Sequence, residues 1–174
     1  MKKIHAEDVM IPLDSYPHVP HWFSLKQAIS EMEKTEFEVD GRKSLPRVVL
    51  VFDEEYRLMG MVRRRDILRG LGSDPMQETR ERAGEKDPGI RRATSPSDAA
   101  GQVTLDELKK RAERPVSEVM TPIRVTLDAA APLMEVAYFM VINDVSIVPI
   151  MKNGTVVGMA RSADVLRRVG EALV

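Results

Sequence analysis

Two aspartates stand at the ends of two similar stretches of sequence. Asp66 ends the stretch GMVRRRD and Asp164 ends the stretch GMARSAD, each six residues after a glycine. Each aspartate opens a segment that is predicted to be helical, so it could simply cap the helix N-terminus. An arginine, Arg63 or Arg161, precedes each aspartate by three residues. A guanidinium at this position could grip a phosphate through paired hydrogen bonds, fill a cleft or point to solvent.

The two stretches belong to a longer internal repeat. The sequence VMIP at residues 9–12 returns as VMTP at 119–122, and SLKQAI at 24–29 returns as PLMEVA at 132–137. The elements keep their order while the offset falls from 110 residues at VMIP to 98 at the aspartates. A duplicated unit with unequal loops explains this pattern. We interpret the charged stretch from Glu33 to Leu45 as an exposed insertion in the first copy.

Hydrophobic periodicity predicts the elements that position the aspartates. Leu25, Ala28, Ile29 and Met32 predict a helix capped by Ser24, and the corresponding helix begins at Pro132. Two predicted hairpins follow, with strands at 48–52 and 57–62 and at 145–151 and 155–160, the second turning at Asn-Gly. A short helix ends each copy. We therefore predict an α/β (α+β) fold in which two β-α-β-β-α units are related by a pseudo-twofold axis and packed sheet to sheet.

This organisation predicts three regions: a first repeat at 8–70, a connecting region at 71–114 and a second repeat at 115–174. Residues 72–101 contain few large apolar side chains, so we interpret them as a flexible linker. A capping box at Thr104–Glu107 predicts a short helix after the linker, ending before Pro115.

Composition excludes several functional classes. The 174-residue chain has a formal net charge of −1, which argues against a nucleic-acid-binding role. It contains no cysteine, so thiolate metal sites and cysteine nucleophiles are excluded. We find no set of nucleophile, base and oxyanion donors, and His18 and His21 are unsuited to a metal site because Pro20 interrupts them. We expect a cytoplasmic protein with no membrane segment that is not an enzyme.

The duplicated order of motifs resembles the CBS domain, and two copies in tandem resemble a CBS pair, or Bateman module. The resemblance covers about residues 8–70 and 115–173. It implies a disc-like module that is usually a homodimer and whose clefts often bind AMP, ADP, ATP or S-adenosylmethionine. Family members usually regulate an attached or separate protein target, so we expect such a target here, with no required cofactor and no nucleic acid or membrane partner.

The resemblance also implies ligand-binding positions. Asp66 and Asp164 lie where similar modules hold a ribose, and a carboxylate can accept both hydrogen bonds of a vicinal diol. The family usually has a threonine or serine where Arg63 and Arg161 stand, and Ser162 could supply a hydroxyl one residue later. The other candidates are Thr121 and an apolar wall for adenine, whose members could equally be core residues: Ile11, Pro12, Ile123, Val145, Val148 and Pro149.

Two hypotheses follow for the function. The first is a regulatory module that binds an adenosine-containing ligand between the repeats and signals through a rearrangement of the lobes or of the dimer. The alternative is a dimerisation or protein-interaction scaffold without a ligand, in which Arg63 and Arg161 fill the clefts. Paired guanidiniums inside the clefts would favour this alternative.

Overall fold

The computed structural model describes residues 3–72 and 104–173. The first repeat contains strands β1 (Met10–Pro12) and β2 (His18–Pro20), helix α1 (Leu25–Lys34), strands β3 (Phe37–Val39), β4 (Arg42–Ser44), β5 (Val48–Phe52) and β6 (Leu58–Arg63), and helix α2 (Arg64–Leu71). Short 3-10 turns at Ala6–Asp8 and Leu13–Ser15 flank β1. The predicted linker at 72–101 lies almost wholly outside the described residues.

The second repeat follows the same order of elements without the β3–β4 hairpin. Helix α3 (Leu105–Ala112) precedes it, and a 3-10 turn at Val116–Glu118 leads into strand β7 (Thr121–Pro122). Strand β8 (Leu127–Asp128), helix α4 (Leu133–Ile142), strands β9 (Ile147–Lys152) and β10 (Thr155–Arg161) and helix α5 (Ser162–Leu173) complete it. Mixed α/β architecture in two like halves is therefore confirmed.

The two sheets exchange their first strands. One sheet has the order β1-β10-β9-β8 and the other β2-β5-β6-β7, so β1 joins the sheet of the second repeat and β7 joins that of the first. Both exchanged strands are antiparallel to their neighbours, with Ile11 opposite Met159 and Thr121 opposite Met61. Because each repeat completes the sheet of the other, the repeats are interlocked rather than merely apposed.

Three groups of buried side chains hold the repeats together. One lies between α1, α2 and their sheet and includes Leu25, Val49 and Val51. The second lies between α4, α5 and the other sheet. The third fills the space between the sheets and includes Leu50 and Met159. All five residues of β5 are buried because alternate side chains enter the helix-side core and the core between the sheets.

Most predicted elements are confirmed, with three differences. Helices α2 and α5 begin two residues before Asp66 and Asp164, because β6 and β10 run directly into them. Thus neither aspartate is an N-cap; each is the third residue of its helix. Helix α4 begins at Leu133 rather than at Pro132. The insertion at 33–45 is only partly exposed: it folds into the β3–β4 hairpin, and Phe37 is buried.

Candidate functional site

The strand-to-helix junctions place Asp66 and Asp164 at corresponding positions of the two repeats. Strand β6 ends at Arg63 and α2 begins with the next residue, so Asp66 lies in the first helical turn and its carboxylate accepts from the backbone N–H of Arg63 at 3.0 Å. In the second repeat, β10 ends at Arg161 and Asp164 takes the same position in α5. Asp66 is 0% exposed and Asp164 5% exposed, and both need polar partners.

We call the surroundings of Asp66 (Arg63, Arg69 and Thr121) the first cleft and those of Asp164 (Arg161 and Arg167) the second cleft. In the first cleft, Arg63 supplies these partners. Its Nε donates to Asp66 Oδ2 at 2.7 Å and its Nη2 to Oδ1 at 3.0 Å, which makes a bidentate ion pair. Nη2 also donates to Oγ1 of Thr121 at 2.9 Å. Arg69 Nη1 lies 3.4 Å from Asp66 Oδ1. Among the described residues, two guanidinium charges therefore meet one carboxylate here, which favours an anionic ligand.

The second cleft repeats the ion pair with different outer partners. Arg161 Nε donates to Asp164 Oδ2 at 2.6 Å and Nη2 donates to Oδ1 at 3.1 Å. Arg167 Nη2 lies 3.6 Å from Asp164 Oδ1 and its Nη1 forms an ion pair with Asp40. Within the described part of the chain, the guanidiniums of Arg161 and Arg167 thus meet two carboxylates here, where the first cleft has one.

The β3–β4 hairpin of the first repeat covers the second cleft. Arg161 Nη1 donates to Oγ of Ser44 at 3.2 Å, and the centre of its guanidinium lies 5.5 Å from the centroid of the Phe37 ring. The latter contact is within the range of a cation–π interaction. A groove of about 400 Å³ lies between this hairpin and β1, lined by residues 36–40 on one side and by Met10, Ile11, Pro12 and Ser15 on the other.

Tyr16 is the unusual polar residue near the second cleft. Its ring packs edge-on against Phe37 with centroids 4.7 Å apart, and the side chain is buried. Its hydroxyl has no hydrogen-bond partner among residues 3–72 and 104–173. Burial raises the pKa of Tyr16 well above its ordinary value near 10, with smaller opposing effects of Arg161, which lowers the pKa, and Asp164, which raises it.

The predicted site residues are only partly brought together. Arg63, Asp66 and Thr121 meet in the first cleft, and Arg161 and Asp164 meet in the second. Ser162 is exposed at the start of α5, where its N–H donates to the carbonyl of Ser146 at 2.9 Å.

The predicted apolar wall is divided among several environments. Ile11 belongs to the core between the sheets and Ile123 packs against it, whereas Val148 belongs to the helix-side core of the second repeat and Val145 packs against that core. Pro149 is buried on the face of β9 opposite Val148, and exposed Pro12 lines the groove beside β1.

Sequence reasoning missed the residues that the hairpin contributes, namely Phe37, Asp40 and Ser44. A signal for the hairpin was present, because Asp40-Gly41 separates two short segments that can pair. Both residues have positive φ, 49° and 72°, as a two-residue type I′ turn requires. Phe37 and Ser44 are directly opposite in the hairpin and so share one face. The large charge content of this segment concealed that face.

Neither a cluster of metal-ligating side chains nor a membrane-spanning helix is found in the described part of the chain. Within residues 3–72 and 104–173, no three histidine, aspartate or glutamate side chains come together as metal ligands could. No helix in these ranges combines the length and the apolar character needed to cross a bilayer.

Comparison with known proteins identifies both halves. A family model described as CBS domain matches residues 6–73 and 116–171. No curated protein matches the chain at a significant level of sequence similarity.

Solved structures resemble the whole chain. A CBS domain-containing protein of unknown function from Bacillus anthracis str. Ames Ancestor has a TM-score of 0.62 at 18% identity, over 97% of this chain and 94% of that one. CBSX2 in complex with AMP has a TM-score of 0.60 at 16% identity, over 98% of each chain. The cytosolic domain of the Mg2+ channel MgtE in complex with ATP has a TM-score of 0.56 at 19% identity, over 94% of this chain and 48% of that one. Similarity at this level of identity shows a shared fold.

Proposed function

Since the chain belongs to the CBS domain family and contains two such domains in tandem, we propose that it is a ligand-sensing regulatory module rather than an enzyme. Its ligand is an adenosine-containing molecule: AMP, ADP, ATP or S-adenosylmethionine. CBSX2 and MgtE, which share the fold, were solved with AMP and ATP. The observation that carries the proposal is the bridge from Asp66 through Arg63 to Thr121 across the seam between the repeats.

The bridge supplies a way to sense a ligand. The guanidinium of Arg63 presents two N–H donors to the two oxygens of Asp66, and a ribose diol presents two O–H donors in their place. A diol that replaces Arg63 keeps the buried carboxylate hydrogen-bonded and releases the guanidinium. The released guanidinium binds the ligand's phosphate in a bidentate manner.

The same exchange alters the contact between the repeats. Arg63 holds Thr121 of β7 while it is paired with Asp66, so its release breaks one polar contact across the seam. A ligand shifts a conformational equilibrium only by its difference in affinity for the two states. Here that difference comes from the exchange at Asp66, and the shifted arrangement of the repeats is what an attached or separate protein target would recognise.

A specific observation favours a second candidate function. Both aspartates are already paired with arginines, so a ligand must displace a bidentate ion pair. A scaffold that assembles proteins without any ligand needs no such displacement, and its clefts would stay as they are here. This candidate makes the opposite prediction for nucleotide binding.

The module is proposed to be a cytoplasmic homodimer formed through α4 and α5. Met134, Tyr138 and Val141 lie along one side of α4 and are 65, 68 and 80% exposed, and Leu166 of α5 is 71% exposed. An apolar surface of this kind marks an interaction site. The corresponding positions of α1 hold Lys26, Ser30 and Glu33. A dimer would therefore form through α4 rather than through α1.

Thermal unfolding with AMP, ADP, ATP and S-adenosylmethionine tests the ligand. A ligand present at 100 times its dissociation constant should raise the free energy of unfolding by about 2.7 kcal/mol. Asp66→Asn should abolish this stabilisation, whereas Glu171→Gln on the exposed side of α5 should retain it. If none of the four ligands stabilises the protein at millimolar concentration, ligand sensing is rejected and the scaffold hypothesis remains.

A further inference from the structure

We propose that the β3–β4 hairpin occupies the second cleft in place of a ligand, so that the chain binds one nucleotide, at the first cleft. This inference rests on the proposed function for the nucleotide, but the occupancy of the cleft rests on contacts within the chain. The hairpin supplies three groups to the cleft arginines: the hydroxyl of Ser44, the ring of Phe37 and the carboxylate of Asp40.

Each of these groups has the chemistry of one part of a nucleotide. Ser44 accepts a hydrogen bond from Arg161 as a sugar hydroxyl could, at 3.2 Å. The ring of Phe37 lies 5.5 Å from the same guanidinium, as a stacked base could. Asp40 pairs with Arg167 as a phosphate could. The hairpin thus satisfies Arg161 and Arg167 without a bound molecule, while the groove between the hairpin and β1 stays open.

The geometry of the hairpin explains how three groups reach one cleft. Phe37 and Ser44 are opposite each other in the antiparallel pairing, so their side chains leave the same face. Asp40 lies at the turn and extends beyond that face to Arg167 of α5. Lys43 alternates with Ser44, and its Nζ pairs with Glu36 Oε1 at 2.8 Å, away from Arg161.

The first cleft has no equivalent cover within the described residues. The connection between α4 and β9, which corresponds to the insertion, is only residues 143–146. The outer partner of Arg63 is Thr121 of the sheet itself. No carboxylate besides Asp66 pairs with Arg63 or Arg69 among the described residues, and Arg69 is half exposed. The unbalanced positive charge and the accessible arginine both direct a nucleotide phosphate to this cleft.

The experiment is a calorimetric titration of the full chain with ATP. Wild type is compared with a variant in which residues 36–44 are replaced by a short Gly-Ser linker. The double variant Asp40→Asn, Ser44→Ala keeps the hairpin but removes two of its groups, and it replaces the deletion variant if that variant fails to fold. Lys43→Ala is the matched control, because it changes the hairpin on the face away from the cleft.

Wild type and Lys43→Ala should each bind one ATP per chain, and Asp66→Asn should abolish this binding. The deletion should bind two, and the double variant should show a second, weaker site. Two sites in wild type, or a single site in both hairpin variants, would overturn the proposal while leaving nucleotide sensing intact.

A second readout does not depend on ATP. Modification by phenylglyoxal, mapped by mass spectrometry, should rise several-fold at Arg161 and Arg167 in the hairpin variants and stay unchanged at Arg63. If no variant binds ATP, the sensing of ATP fails, and this readout alone decides whether the hairpin fills the cleft. Unchanged modification of Arg161 would overturn its occupancy.

Discussion

Arg63 and Thr121 are joined across the two repeats by a hydrogen bond of 2.9 Å from Nη2 to Oγ1. The residue that corresponds to Thr121 in the first repeat is Ile11, which has no hydroxyl. Arg161 accordingly finds its outer acceptor on Ser44 of the inserted hairpin. A single difference between VMIP and VMTP therefore goes together with two clefts whose arginines are held in different ways.

Removal of either buried carboxylate should be strongly destabilising. Asp164→Ala leaves Arg161, whose side chain is only 14% exposed, without its ion-pair partner, and an uncompensated buried charge costs about 3–5 kcal/mol. We expect urea unfolding to show a loss of about 3 kcal/mol for this variant and a similar loss for Asp66→Ala. Glu171→Ala, which removes the half-exposed partner of Arg168 in the same helix, should cost less than about 1 kcal/mol. If Asp164→Ala and Glu171→Ala lowered the free energy of unfolding equally, the buried ion pair would not be the more important of the two.

Two glycines should be intolerant of a methyl group because the exchanged strands pair closely beside them, with Pro12 opposite Gly158 and Pro122 opposite Gly60. A Cβ at Gly158 would lie 2.6 Å from the carbonyl oxygen of Ile11, and one at Gly60 would lie 2.7 Å from that of Thr121. These oxygens belong to backbone that pairs with the adjacent strand, so relief requires a shift of β1 or β7. We expect Gly158→Ala and Gly60→Ala each to lower the free energy of unfolding by about 1–3 kcal/mol.

Gly170 provides the control for these substitutions. A Cβ at this helical position meets nothing within 4 Å, so Gly170→Ala should raise the free energy of unfolding by up to about 1 kcal/mol. Chemical denaturation of the three variants measures the contrast. Equal effects at Gly158 and Gly170 would rule out a tight approach of β1 to Gly158 of β10.

Tyr16 should make the protein less stable at high pH. Its pKa is raised in the folded state by burial, so between the unfolded value near 10 and the higher folded value the native state keeps a proton that the unfolded state releases. Stability is therefore lost as pH rises through this window, by about 1.4 kcal/mol at one pH unit above the unfolded value. Tyr16→Phe should remove this loss, as judged by urea unfolding at about pH 7 and pH 11.

The same substitution has a second expected effect at neutral pH. Tyr16→Phe deletes a buried hydroxyl without a partner among the described residues, so stability should stay level or rise by about 1 kcal/mol. Tyr138→Phe is the control, because Tyr138 is exposed and should leave the pH dependence of wild type unchanged. A marked loss of stability in Tyr16→Phe at neutral pH would mean that the hydroxyl does have a partner.

The proposed dimer should depend on α4 and not on α1. Val141→Glu places a charge in the exposed apolar stripe, and burying that charge at an interface has a large cost. We expect sedimentation velocity to show a dimer for wild type and a monomer for Val141→Glu, with an unchanged Tm at low protein concentration. Lys26→Glu on α1 should remain dimeric. A monomeric wild type would contradict the assignment of this face.

Repeats, helices and hairpins could be predicted because they depend on local patterns. The apolar spacing of α1, its cap at Ser24 and the run Val48–Phe52 each act over a few residues, and each prediction is confirmed. The glycine-to-aspartate spacing also located the two buried carboxylates. By contrast, the helix starts before Asp66 and Asp164 were missed, because β6 and β10 pass into helix without an intervening loop.

The sequence by itself determined the doubling of the chain, the family and the places of Asp66 and Asp164, because the repeated motifs and their spacing are local patterns. Only the structure showed that Arg63 and Arg161, the last residues of β6 and β10, pair with these aspartates. Only the tertiary structure decided that β1 and β7 exchange sheets, and that Ser44 reaches Arg161 and Thr121 reaches Arg63. These contacts join residues far apart in the chain, and their formation depends on how the two repeats pack. Local periodicity carries no information about that packing. The different outer partners of Arg63 and Arg161 could therefore be seen only in the tertiary structure.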